Sequence, residues 1–154
     1  MQEQLTKQSA NLMLADEHEV LNCLMDELRT EIAVVPRSGL RSWIERTKDR
    51  FAHFEAHFIK HMALEELGGY LAPVLEERPT LAGEVSRLKH QHDELLRLLE
   101  SIRKQSQQME ECDSLLPRDW CCRVSRLLAF VDQHEHEEDL LLIDGVSRDI
   151  GVKD

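Results

Sequence analysis

The sequence predicts an all-α protein, an antiparallel up-down-up-down four-helix bundle, on three observations. Turn-forming residues cut the chain into four long segments, and each segment repeats its apolar residues at alternating steps of three and four. Nothing alternates with the period of two that a half-buried strand requires. At 154 residues there is chain enough for one domain around one core. The expectation is a single domain over 1–154, with the bundle at about 9–145 and a short C-terminal tail.

The first segment carries Leu14, His18, Leu21, Met25, Leu28 and Ile32 on one stripe and stops at Val35-Pro36-Arg37-Ser38-Gly39. The second, with Ser38 as its expected cap, carries Leu40, Ile44, Thr47, Phe51, Phe54, Phe58, His61 and Glu65 and stops at Gly68-Gly69. The stretch from Tyr70 to Pro79, which holds Pro73 and Pro79, reads as a connection. Thr80 is placed to cap the third segment, whose stripe is Leu81, Val85, Leu88, His92, Leu95, Leu99 and Ile102. Cys112-Asp113-Ser114-Leu115-Leu116-Pro117 leads into the fourth, with Asp113 or Ser114 as cap and Pro117 in its opening turn. Its stripe is Trp120, Val124, Leu127, Val131, His134, Glu138 and Leu141.

Charge and composition narrow the function. Nineteen Lys and Arg against thirty Asp and Glu give a net charge of −11, the wrong sign for a nucleic-acid surface. No apolar run approaches a bilayer span, and Met1-Gln2-Glu3-Gln4 lacks the basic start of a signal peptide. Cys23, Cys112, Cys121 and Cys122 contain no C-x-x-C pair and are expected to stay reduced in the cytoplasm. Cys121 and Cys122, adjacent on a helix, are expected to pack or lie partly exposed rather than to pair.

The polar residues on the stripes carry the information. Apart from Thr47 they are His18, His61, Glu65, His92, His134 and Glu138. Successive histidines lie 43, 31 and 42 residues apart, and each midpoint falls in a connection. In an antiparallel bundle that spacing puts all four at one height. Burying Glu65 and Glu138 as anions without counter-charge costs several kcal/mol each, and buried imidazoles resist the protonation that would offset it. Metal cations resolve the conflict, because neutral imidazole nitrogens and carboxylate oxygens are their ligands. His61/Glu65 and His134/Glu138 are both His-x-x-x-Glu, one helical turn apart on one face. Two facing pairs of this kind suit carboxylates that bridge two ions. The nitrogen and oxygen donor set suits iron or manganese better than a structural tetrahedral zinc.

Asp16-Glu17-His18-Glu19, His61-Met62-Ala63-Leu64-Glu65-Glu66, Gln91-His92-Asp93-Glu94-Leu95 and His134-Glu135-His136-Glu137-Glu138-Asp139 occur in this order. Together they resemble the hemerythrin-like, or HHE cation-binding, domains over nearly the whole chain, from about Leu12 to Gly145. Gly68-Gly69-Tyr70 and Asp149-Ile150-Gly151 look like a bacterial branch of that family. The resemblance implies a four-helix bundle with two iron ions, a non-haem di-iron centre, held by His18, His61, Glu65, His92, His134 and Glu138. It implies dioxygen or another small diatomic such as nitric oxide as the ligand, in oxygen, nitric oxide or redox sensing or in iron handling.

The chain departs from the oxygen carriers on the third segment. They resemble His-x-x-x-His there, whereas Leu88 and Leu96 stand four residues either side of His92. His57 is the first candidate for a replacement ligand and Glu66 the second. The missing imidazole opens an alternative, a di-iron enzyme turning over peroxide or nitric oxide at an open coordination site. The absence of Glu-x-x-His pairs argues against it. A third reading is a structural bundle with a stabilising metal. Phe54 and Phe58, on the stripe above His61, are expected to roof the site and exclude charged reductants. His90 and His136 are expected to face solvent, His53 to flank the bundle, and Met13, Met25 and Met62 to fill core. No nucleic-acid or membrane partner is expected.

Overall fold

Apolar stripes at helical spacing need a partner surface, and the chain supplies it from four rods of its own. The computed structural model describes residues 2–67, 71–110 and 115–147, with the side chains of 15–67, 71–110 and 115–143. These residues form α1 (Gln2–Ile32), α2 (Leu40–Glu66), a short α3 (Leu71–Glu77), α4 (Ala82–Ser106) and α5 (Leu115–Ser147). A single 3-10 turn, Pro79–Leu81, precedes α4, and there is no strand among the described residues. Each long helix packs on two others: α1 on α2 and α5, and α4 on α2 and α5. No described helix is long and apolar enough to cross a membrane.

The stripes face inward. Leu21, Met25, Leu28, Phe51, Phe54, Phe58, Leu95, Leu99, Trp120, Val124 and Val131 join one buried core along the bundle. Thr47, the polar exception with no chemistry to offer, is fully buried and donates its hydroxyl to Trp43 O at 2.6 Å, one turn back. Trp43 in turn donates Nε1–H to Glu31 O at 3.0 Å, satisfying one of the last carbonyls of α1. The Leu14 and Met13 side chains, Gly68-Gly69-Tyr70, Cys112-Asp113-Ser114 and the Asp149-Ile150-Gly151 tail lie outside the described residues.

Three expectations about helix ends need correction. Ser38 does not cap α2: Gly39 holds the N-cap position with φ +70° and no side-chain cap, its carbonyl accepting from Trp43 N at 3.1 Å. Thr80 does not cap α4, because it sits inside the 3-10 turn and Leu81 takes the N-cap position. The Tyr70–Pro79 connection contains a helix, since Pro73 stands in the first turn of α3, where its missing N–H has no intrahelical acceptor to lose. Pro117 sits likewise in the opening turn of α5, as expected.

Gly39 offers a clean test of backbone strain. A methyl group there meets nothing within 4 Å, so the penalty is conformational alone. Gly39→Ala is expected to lower stability by about 1–2 kcal/mol, and Gly39→Asn by less. Urea unfolding should show a lower midpoint with an unchanged slope.

The short helix matters to the site. Leu71 of α3 joins Val85, Leu88 and Leu141 in a second, smaller apolar cluster, with Val74, Leu75, Leu81 and Leu142 packed against it. Leu88 lies one turn before His92 and Leu141 three residues beyond Glu138. The polar layer is therefore closed by the main core on one side and by this cluster on the other.

Candidate metal centre

Every polar residue singled out on the stripes reaches one layer of the bundle. His61, Glu65, His92, His134 and Glu138 are each at most 1% exposed. His18 comes in from α1 with its side chain 17% exposed. The His18 and His61 rings meet edge to face at 4.9 Å, and those of His92 and His134 at 4.7 Å. Donor atoms gather in two groups, each of which could hold a metal ion: His18, His61, Glu65, Glu135 and Glu138 in one, Glu65, His92, His134 and Glu138 in the other. Glu65 and Glu138 belong to both.

The second group has its imidazoles fixed from behind. His92 Nδ1 lies 3.0 Å from Glu66 Oε1, and His134 Nδ1 lies 2.7 Å from Gln91 Oε1. Gln91 cannot turn its amide over without loss, because its Nε2 donates to Glu137 at 3.1 Å and Glu137 is itself held by Arg87 at 2.7 Å. Both acceptors call for a proton on Nδ1, which in the neutral rings leaves the Nε2 atoms as bare lone pairs. Those two atoms face each other at 2.9 Å. His92 Nε2 is also 2.9 Å from Glu65 Oε2, and His134 Nε2 is 2.9 Å from Glu138 Oε1.

The first group is arranged differently. His61 Nε2 lies 2.5 Å from Glu65 Oε1 and 3.1 Å from Glu135 Oε1. His18 Nε2 lies 2.7 Å from Glu135 Oε2, while its Nδ1 is 3.7 Å from Asp139. An open pocket of about 240 Å³, lined by His18, Asn22, Asp132, Glu135, His136 and Asp139, reaches this side of the layer from solvent.

Without a cation the cluster must settle its charge with protons. Burial works against the charged form of His61, yet its contacts with Glu135 and Glu65 raise its pKa to about 10. His92 is likewise opposed by burial and raised to about 10 by Glu138, Glu65 and Glu66. Burial and the neighbouring Glu138 charge push the Glu65 carboxyl up, although His61 and His92 oppose the shift. Burial also disfavours ionised Glu138, but His134 and His92 hold its carboxyl well below the ordinary range. For Glu135, too, burial is outweighed, by His18 and His61, and its carboxyl stays low.

The donors fit metal ions better than they fit one another. Neither oxygen of Glu65 or Glu138 accepts a well-aligned hydrogen bond among the described residues, and His61 Nδ1 has no partner there. Buried groups in that condition are rare and costly. Around an octahedral first-row ion with bonds near 2.1 Å, neighbouring donors stand about 3 Å apart. A tetrahedral ion would spread them to about 3.4 Å. Most of the donor contacts, at 2.5–3.1 Å, fit the first spacing, whereas His92 Nε2 to Glu138 Oε1 is longer at 3.5 Å.

Other expectations find their places. Phe58 stacks on His61 at 6.3 Å and Phe54 on Phe58 at 5.7 Å, forming the apolar roof. His57 belongs to neither donor group, its Nε2 lying 3.1 Å from Glu17 across the α1–α2 seam. Glu66 stands behind His92 rather than in a donor group. His53, His90 and His136 are exposed, Met25 and Met62 are core, Cys121 is buried and Cys122 is exposed. The residues that stripe reasoning missed are Glu135 and Gln91. Each is a neighbour of a stripe histidine with a side chain long enough to reach the site from the flank, and that adjacency was the available signal.

No curated protein and no solved structure matches the chain. The family profile described as the hemerythrin HHE cation binding domain does match, over residues 10–144. With its histidines and glutamates gathered into groups that could hold metal, the chain belongs to the hemerythrin HHE cation-binding domain family.

Proposed function

We propose that the chain is a non-haem di-iron protein of hemerythrin type that binds dioxygen or another small diatomic such as nitric oxide. His18, His61, Glu65, His92, His134 and Glu138 would hold the two ions, with Glu65 and Glu138 reaching both. The single observation that carries this reading is the facing pair of Nε2 atoms on His92 and His134, 2.9 Å apart with both Nδ1 atoms held by acceptors. Two lone pairs at that distance repel unless a proton or a metal cation intervenes, and only a metal cation would also satisfy the buried oxygens of Glu65 and Glu138. In this reading the long helices run up-down-up-down, which brings histidines on either side of each connection to one height.

Bound iron supplies reversible redox chemistry and coordination positions for a small ligand. The chain's own residues do the rest. Glu66 and Gln91 hold the His92 and His134 rings in register, Arg87 and Glu137 hold Gln91, and Phe58 lies against His61. The apolar layers above and below restrict water and charged reductants to the pocket on the His18 side, which favours small neutral ligands at the buried donors. The thiols of Cys23, Cys121 and Cys122 suit a reducing cytoplasm.

Metal analysis of protein purified from its own cells, joined to rapid mixing of the reduced protein with oxygen, tests the proposal. Two irons per chain and a ligand-to-metal band in the near-ultraviolet or visible are expected. One zinc per chain, or a silent spectrum at full iron loading, would refute it. A second reading, turnover of peroxide or nitric oxide, is favoured by the group of Glu65, His92, His134 and Glu138, which brings only four protein donors. Steady-state consumption of either substrate distinguishes it from binding alone.

A further inference from the structure

We propose that Glu135 is a terminal ligand to the cation held by His18 and His61, so that the two metal positions have unequal donor sets. The inference rests on the reading of the cluster as a two-cation centre. It turns on which ring nitrogen each carboxylate or amide addresses. A group that only orients a ligating imidazole engages the nitrogen turned away from the metal. Glu66 does this at His92 Nδ1 and Gln91 at His134 Nδ1. Glu135 does the opposite. Its two oxygens meet the Nε2 atoms of His18 and His61, and His61 Nε2 is the same atom that meets Glu65 Oε1. The Glu135 carboxylate therefore stands on the donor side of both rings.

Three further observations agree. The Glu135 side chain is 13% exposed, and its Oε2 accepts no well-aligned hydrogen bond among the described residues. The donor atoms around it are themselves buried and unsatisfied: His18 Nε2 and both oxygens of Glu65 and Glu138. Glu135 also lines the solvent pocket on the α1 side, so it stands between that pocket and the buried donors.

Two consequences follow. The His18/His61 position has five protein residues to draw on and the His92/His134 position four, so the first holds its ion more tightly. Room for an exogenous ligand lies mainly at the second.

Titration of the metal-free full chain with Co(II), followed by calorimetry, tests this. Wild type should take up two Co(II) in two resolved steps. Glu135→Gln keeps the shape and an oxygen acceptor but loses the charge. It should weaken one step by thirtyfold or more and leave the other within threefold. Both steps within threefold of wild type, or both weakened equally, would overturn the role of Glu135 while leaving two-ion binding intact. Uptake of fewer than two Co(II) by wild type would instead sink the two-cation reading. Wild type loaded with iron-57 gives a measurement free of any folding defect in the variant. Two Mössbauer doublets of equal area are expected, and a single doublet would overturn the proposal.

Discussion

Glu65→Ala is expected to cut the metal-dependent stability of the chain at both positions at once, not at one of them. Glu65 belongs to both donor groups, with Oε1 at His61 and Oε2 at His92, so its loss damages both positions at once. A ligand present at a thousand times its Kd stabilises the folded state by about 4 kcal/mol. In a chain of this size that corresponds to roughly 10 °C in Tm. Wild type should show that rise when Fe(II) or Mn(II) is added under reducing conditions, and a chelator should reverse it. Glu65→Ala should show a much smaller rise than wild type. His18→Ala, which touches one group only, should keep part of the rise.

Trp120→Ala should do the reverse, costing stability while sparing the metal. Trp120 is fully buried, meets Phe51 edge to face at 5.6 Å and donates Nε1–H to Ile102 O at 3.1 Å. Truncating a buried aromatic of this size costs about 3–5 kcal/mol, part of it from the cavity left behind. Fourteen residues of α5 separate Trp120 from His134, about 21 Å along the helix. Metal stoichiometry at saturation should therefore stay at the wild-type value. Trp120→Phe, which keeps a ring and gives up the hydrogen bond, should recover most of the loss. Chemical denaturation and metal analysis on the same samples read both quantities.

The rods were legible in the sequence because a helix that buries one face must repeat at that face's period. Every stripe position from Leu21 to Ile32, Ile44 to Glu65, Val85 to Ile102 and Trp120 to Leu141 is buried. The six polar stripe residues were legible as outliers against that pattern, and they do meet in one layer. Residues reaching the layer from the flank were not. Glu135 and His57 both sit beside the stripe, where periodicity marks neither as inward nor outward. Which of them approaches the buried donors depends on what faces it across the seam, Glu17 for His57 and His18 for Glu135. That is tertiary information. The helix ends were obscured for a different reason. α1 has already ended at Ile32, and Gly39 takes the N-cap position of α2 with a left-handed backbone, so Ser38 has no capping to do.

The floor of the polar layer is built from a helix of seven residues, α3, far below the length at which a helix holds itself together in water. Leu71 is buried only because Val85, Leu88 and Leu141 receive it. The seal beneath the centre is therefore held by its docking rather than by its own helicity. Access of water from that end is set by the docking of about two turns of helix, and a substitution at Leu71 would loosen it without touching a single donor atom.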